Sequence, residues 1–147
     1  MKFARENLSA FRGEMTLLTN HWQEIAKDKE VMQLNPDWDY YEQRDRTGQV
    51  LFVTAREGAE LVGYFIWWVD PHPHYKHLLT AHSDIYFLTP EYRNAGLGSE
   101  LFRAAIGFAK EAGCGYCFIT TKVGHDHPDL MERLGLKPRD LVYGGPI

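Results

Sequence analysis

Two stretches of this chain carry residues whose types and spacing can do chemistry. The first is Arg93-Asn94-Ala95-Gly96-Leu97-Gly98-Ser99, which leads into an apolar helical pattern. Glycines at a helix start leave backbone N–H groups uncovered beside the positive end of the helix dipole, and Arg93 can add a charge-assisted hydrogen bond. The stretch therefore predicts an anion site. It is no P-loop, because Gly-Lys-Ser/Thr is missing, and no dinucleotide fingerprint, because Leu101 stands where a third glycine is needed. The second stretch is Thr80 to Tyr86. At a strand period of two, Thr80, His82, Asp84 and Tyr86 share one face, so His82 and Asp84 can act together as a base. The ordinary alternatives are a solvated or salt-bridged carboxylate and a plain polar strand position.

Other chemical residues point less far. Cys114 and Cys117 form a C-x-x-C, but they sit where a helix exits into a strand, whereas a redox pair needs its first cysteine at a helix N-terminus that lowers the thiol pKa. We expect no function of them. His72, His74 and His77 cluster, and His125 and His127 flank Asp126, yet no helix sets an i, i+4 pair and no thiolate ligands fall in zinc spacing. No metal site is expected. Trp67, Trp68 and Tyr75, with the histidine loop, suit the rim of a binding site or the packing of a core.

The elements that must position these residues follow from pattern. Leu8, Phe11, Met15, Leu18, Trp22 and Ile25 predict one helix of about five turns starting near Asn7. Asn35-Pro36-Asp37 breaks the chain, and Trp38 to Arg46 reads as a shorter helix capped by Asp37. Val50–Ala55 and Leu61–Val69 predict an antiparallel hairpin turning at Glu57-Gly58-Ala59-Glu60. The prolines make Asp70 to His74 a loop, after which Thr80 to Leu88 is extended. Leu97, Leu101, Ala104, Ala105, Phe108 and Ala112 mark an amphipathic helix that Gly113 closes. A strand over Tyr116–Thr121, a helix from Pro128 to Leu134 and a last strand over Leu141–Tyr143 complete the order. A hairpin and meander before a crossover helix favour an α/β domain whose mixed central sheet is flanked by helices.

Composition narrows the partners. The chain has 147 residues, 44% of them hydrophobic, enough for one domain, 1–147, with its own core. A net charge of −4 argues against nucleic acid or an anionic membrane and leans towards a cationic small molecule or basic peptide. No run of about 18 apolar residues or cleavable leader pattern is present, so a cytoplasmic location is the default expectation. The oligomeric state stays open.

The segment Asp84-Ile85-Tyr86-Phe87-Leu88-Thr89-Pro90-Glu91-Tyr92-Arg93-Asn94-Ala95-Gly96-Leu97-Gly98-Ser99 resembles the central motif of the GNAT superfamily of N-acetyltransferases. In that family a strand ends in an apolar residue, then come x-Pro-Glu-Tyr, Arg-x-x-Gly-x-Gly and an apolar helix. The resemblance spans about Val50 to Leu136, and the compact chain also looks like the stand-alone acetyltransferases of tailed-phage genomes. It implies the GNAT (acyl-CoA N-acyltransferase) fold and acetyl-CoA as co-substrate. It further implies an amine acceptor on a small molecule or peptide, with the N-terminal helices as a wall of the acceptor site. Backbone groups at Leu88, with Thr89 beside it, would meet the pantetheine arm and polarise the carbonyl. N–H groups from Asn94 to Ser99, including Ala95, Gly96 and Gly98, would hold the pyrophosphate. Asp84 stands where several members carry an acidic residue, which makes it the preferred base.

The chain also departs from the family. Met131 stands in place of the usual tyrosine acid and Leu136 in place of phenylalanine, so Tyr143, Tyr86 and Tyr116 become the candidate acids. Gly124-His125 replaces the common asparagine, and His125 becomes a candidate cofactor contact. These losses keep two rivals in view: a CoA-binding module that has lost turnover, and a host-directed interaction protein on the same scaffold.

Overall fold

A computed structural model describes residues 1–93 and 96–147, so Asn94 and Ala95 lie outside the described residues. Its elements, in chain order, are β1 (Lys2–Glu6), α1 (Leu8–Phe11), α2 (Met15–Ile25), α3 (Trp38–Arg46), β2 (Val50–Glu57), β3 (Glu60–His72), β4 (Tyr75–Leu88), α4 (Leu97–Glu111), β5 (Tyr116–Phe118) and α5 (Pro128–Arg133). The five strands form one sheet in the order β1-β2-β3-β4-β5. The first four pair antiparallel and β5 pairs parallel to β4. A parallel neighbour requires a crossover, which α4 provides. This is the mixed sheet expected.

Both faces of the sheet are covered. On one side α4 lays Leu101, Phe102, Ala105 and Ala109 on Leu51, Val53, Phe65, Trp67 and Val69, with Leu130, Met131 and Leu134 of the α5 region alongside. On the other, Leu8 and Phe11 of α1 and Leu17 and Leu18 of α2 cover Phe52, Tyr64, Ile66 and Phe87, with Trp38 and Tyr41 of α3 beside them. Asp37 caps α3 as expected, accepting from the Tyr40 N–H at 3.0 Å.

Five expectations need correction. The single N-terminal helix is two, broken at Arg12–Glu14, and the break rotates the second piece. Leu17, Leu18 and His21 therefore turn inward, while Met15 is 37% exposed. A strand precedes them: β1 pairs with β2 from Lys2↔Arg56 to Glu6↔Phe52, and Phe3 packs on the core. The prolines do not end β3, which runs to His72 and pairs Pro71 with Leu79. Beyond the Val69 N–H bond to Gln49, β2 no longer flanks β3, so Pro71 lies at an edge that asks for no donor there. The strand after α4 stops at Phe118 rather than Thr121. Leu141, Val142 and Tyr143 form no strand and are 82%, 78% and 88% exposed, because neither face of this segment has anything to bury against.

One irregularity matters for the site. Phe65 opposes Tyr86 and Trp67 opposes Ser83, so β4 holds one residue more than β3 over this interval. This β-bulge at Asp84–Ile85 resets the alternation of faces. Ile85 and Phe87 pack on the α1–α3 side, and Tyr86 and Leu88 on the α4 side. Thr80, His82 and Asp84 share a face as expected. Tyr86 does not join them.

Candidate active site

The sheet opens beside the bulge. β5 pairs with β4 only from Thr80↔Tyr116 to His82↔Phe118, and the last link between the strands is the Thr120 N–H donating to Ser83 Oγ at 2.8 Å. Further along, β4 has no strand on that edge among the described residues. This open edge of β4 extends from Asp84 to Leu88, towards the start of α4.

At its far end, β4 passes through Thr89 and a single 3-10 turn, Pro90–Tyr92, into the glycine-bearing stretch. Gly96 adopts φ +81°, a left-handed conformation that L side chains rarely take, and among the described residues no side chain caps the first turn of α4. A Cβ built on Gly98 would meet nothing within 4 Å, so packing does not demand a glycine here. The glycine instead leaves open space over uncapped amides at the positive end of a 15-residue helix. Ser99 lies half-buried in that first turn. Thr89 Oγ1 is buried without a partner among the described residues. Uncapped amides, open glycine space and an orphaned hydroxyl beside Leu88 fit a phosphate-bearing donor. The expected contacts of Asn94 and Ala95 lie outside the described residues.

Arg93 is already engaged. Its Nε–H donates to the Leu88 carbonyl at 2.8 Å, and its fork grips both carboxylate oxygens of Glu24 on α2 at 2.7 and 2.8 Å. His125 is exposed in the turn after β5, close enough to Glu24 to help hold that carboxyl below the usual range.

The near end is built from side chains. Asp84 is half-buried, and Oδ2 accepts the Tyr41 hydroxyl of α3. Burial pushes its carboxyl up, against weaker downward pulls from the hydrogen-bonded Tyr41 and the nearby Trp68. The Tyr41 phenol is driven far above its ordinary value by burial and by the neighbouring Asp84 charge, so it remains a hydrogen-bond donor. His82 is exposed and stacks on Phe118, with ring centroids 4.6 Å apart and planes at 14°. Burial lowers its pKa, opposed by Asp70, and so favours the neutral imidazole. Thr80 Oγ1 donates to the Asp70 carbonyl at 3.0 Å and lies 3.3 Å from His82 Nε2. With the hydroxyl proton committed to Asp70, Nε2 carries the imidazole hydrogen and Nδ1 keeps the lone pair.

The candidate acids are not gathered with this pair. Tyr86 lies on the α4 face, stacked on Phe65 with centroids 5.1 Å apart, and burial pushes its pKa up to about 12. Tyr116 is 39% exposed next to Phe118, and Tyr143 is 88% exposed outside every element. Met131 packs on the core. Cys114 and Cys117 are free thiols whose pKa values burial raises, the reverse of an activated pair. Among the described residues no group of three His, Cys, Asp or Glu is arranged to hold a metal, and no helix is long and apolar enough to cross a membrane. Sequence reading missed Tyr41 and Glu24, and it named Trp68 as rim or core without its link to Asp84. Nothing local marks them, because each acts on a residue 16 to 69 positions away in the chain.

A sheet that parts between its last two strands, with an uncapped helix start at one end of the gap and a histidine–carboxylate pair at the other, defines an acyltransferase architecture. The chain belongs to the acetyltransferase (GNAT) family, whose model matches residues 16–135. Among solved structures it is similar to the ribosomal-protein-alanine N-acetyltransferase of Brucella melitensis biovar Abortus 2308, with 20% identity, TM-score 0.71 and 100% and 99% of the two chains covered. A predicted acetyltransferase of Clostridium acetobutylicum, solved with acetyl-CoA, aligns at 10% identity and TM-score 0.72 over 99% and 95%. An aminoglycoside acetyltransferase from an uncultured soil metagenomic sample, in complex with trehalose, aligns at 16% and 0.72 over the same shares. At these identities the likeness is one of fold. No curated protein matches the chain.

Proposed function

We propose that this protein transfers the acetyl group of acetyl-CoA to a primary amine of a small molecule or peptide. The observation that carries the reading is that His82 and Asp84 share one face of β4 at the point where β4 and β5 part, on the strand that leads through one turn to the glycine-led start of α4. The donor's phosphates would lie on the amides of Gly96 to Ser99, with Leu88 and Thr89 beside the arm. A neutral amine attacks the thioester carbonyl carbon, the C–N bond forms, the C–S bond breaks, the nitrogen gives up one further proton to solvent, and the thiolate takes up a proton from solvent. At pH 7 an aliphatic amine arrives protonated. His82, an exposed residue whose Nδ1 keeps the lone pair, and Asp84, raised by burial, are the groups we assign to take that proton directly or through one water.

A second reading, a CoA-binding or host-interacting protein with weak turnover, draws on the Tyr41–Asp84 contact, which occupies one carboxylate oxygen, and on the exposure of Tyr143. Thioester consumption measured across a library of amines separates the two. Turnover dependent on an amine supports transfer, and CoA binding without turnover supports the second reading. Gly96→Glu should abolish CoA binding in calorimetry, since a side chain and a negative charge would enter the open space over the amides. Unchanged affinity in a folded variant would remove the donor site from this reading.

A further inference from the structure

Three polar residues on or just past α2 reach elements on the cofactor side of the sheet edge. His21, Glu24 and Lys27 follow at intervals of three, and each meets a different element. His21 Nδ1 and the Tyr64 hydroxyl lie 2.5 Å apart, and the His21 ring stacks on Phe87 at 4.7 Å. Lys27 Nζ donates to the Val123 carbonyl at 3.0 Å, in the segment that follows β5. Between them Glu24 grips Arg93, whose guanidinium also lies 5.2 Å over the Phe87 ring and donates to the Leu88 carbonyl.

The groups around Glu24 are otherwise cationic or basic. Arg93 holds its carboxyl low first of all, and His21 and His125 add to the effect. Lys122 bears on His21 from the same segment after β5. A polyanionic donor would be served by this surround, and a carboxylate within it works against binding. Arg93 also ends the turn that leads to Gly96, so its charge is the one that stands next to the uncapped amides in the chain.

On the acetyl-CoA reading above, we propose that Glu24 sets the affinity for the acyl donor by keeping the Arg93 guanidinium in an ion pair, so that a donor phosphate competes with the Glu24 carboxylate for the same N–H groups. The pair is suited to exchange: its side chains are 41% and 31% exposed, and such pairs are weak in water. Bidentate geometry fits carboxylate and phosphate alike. The Nε–H bond to Leu88 keeps the fork at that end of the open edge while its partner changes. Glu24 is thus an affinity-setting residue on α2 that acts on the donor through Arg93.

Calorimetric titration with CoA of the wild type, Glu24→Gln, Arg93→Gln and the double variant tests this, with thermal melts to establish that each is folded. Glu24→Gln should bind CoA about five-fold more tightly at low salt, with the gain shrinking as salt rises. Glu24→Asp, which keeps the charge with a shorter reach, should fall between. Arg93→Gln should weaken binding, and adding Glu24→Gln to it should change affinity less than about two-fold, since the gain works through the guanidinium. Glu91→Gln, an exposed neighbour outside the pair, should change little. The Arg93 Nε–H resonance of the wild type should shift on CoA addition. Equal or weaker binding by Glu24→Gln overturns the proposal, and so does an undiminished gain without Arg93. A wild type that binds no CoA overturns the acetyl-CoA reading itself, and this inference with it.

Discussion

The two faces of the sheet are built on different rules. Under α4 the packing is largely dry: Leu101, Ala105, Phe65 and Trp67 are almost fully buried, Trp67 Nε1–H donates to the Ala105 carbonyl at 2.9 Å, and burial pushes the titratable groups packed there, Tyr86, Cys114 and Cys117, upward and away from acid pH. Under α1–α3 the packing is laced with titratable groups: His21 at 4% exposure against Tyr64, and Asp84 against Tyr41. Dry packing holds the sheet together at any pH, whereas buried titratable groups tie that face to proton activity. The face that carries the candidate base is therefore also the face whose stability is hostage to pH.

Truncating the dry face should have the largest effect. Leu101→Ala should cost about 3 kcal/mol, by lost transfer energy plus the cavity left behind, and the cost should be the same at pH 5 and pH 8 in denaturant melts. A pH-dependent cost would break the contrast.

The wet face should give way to acid. Burial holds the His21 pKa down to about 4, against an ordinary 6.5. As pH falls below about 6.5 the unfolded chain takes up this proton while the folded protein refuses it. The stability present above 6.5 is thus lost progressively towards pH 4, to a total of about 3 kcal/mol. His21→Leu should flatten that slope, at the cost of leaving the Tyr64 hydroxyl unpaired, and urea melts from pH 4 to 8 of both proteins measure it. A wild-type slope that survives the substitution would assign the acid sensitivity to another group.

Asp84→Asn should lower kcat by roughly 10²-fold, the usual contribution of a positioned base, with CoA affinity unchanged. In the wild type kcat/KM should rise with pH through an apparent pKa that belongs to the His82–Asp84 set. The alkaline limb that a titrating tyrosine would produce should be weak or absent, because Tyr41 and Tyr86 are pushed up and out of range. Rates from pH 6 to 10 decide this. A fall near pH 9 that disappears in Tyr143→Phe would show that the exposed tail supplies the acid. The smallest effect belongs to Cys114→Ser with Cys117→Ser, which should keep CoA affinity and rate within a few-fold.

Much of this architecture was legible in the residues because the signals are local. The hairpin of β2 and β3, the Asp37 cap and the glycine-led start of α4 each rest on a few neighbouring side chains whose backbone preferences leave little choice. What the sequence hid is non-local or a matter of phase. The apolar spacing from Leu8 to Ile25 runs unbroken through Gly13, so a helix that stops and restarts looks like one that continues. Lys2–Glu6 offers Phe3 as its core contact, too little to announce a strand before β2 is known to need a neighbour. Thr80 to Tyr86 alternates acceptably with or without an extra residue, so the bulge is invisible until β3 supplies its register. The partners of Asp84 and Arg93 come from helices 43 and 69 residues earlier, beyond any motif.

That extra residue in β4 makes the strand a ribbon read in two frames. Before Asp84 the even-numbered residues look towards α1–α3, and after it the odd-numbered ones do. Losing one residue between Ser83 and Tyr86 would bring the two halves back into phase, turning either the His82–Asp84 pair or the Phe87 anchor away from its partners. The hairpin tip at Pro73–His74 lies outside both frames and can lengthen or shorten without touching either. Natural variation in chain length should accordingly gather at that tip and stay out of the four residues from Ser83 to Tyr86, however freely their side chains change.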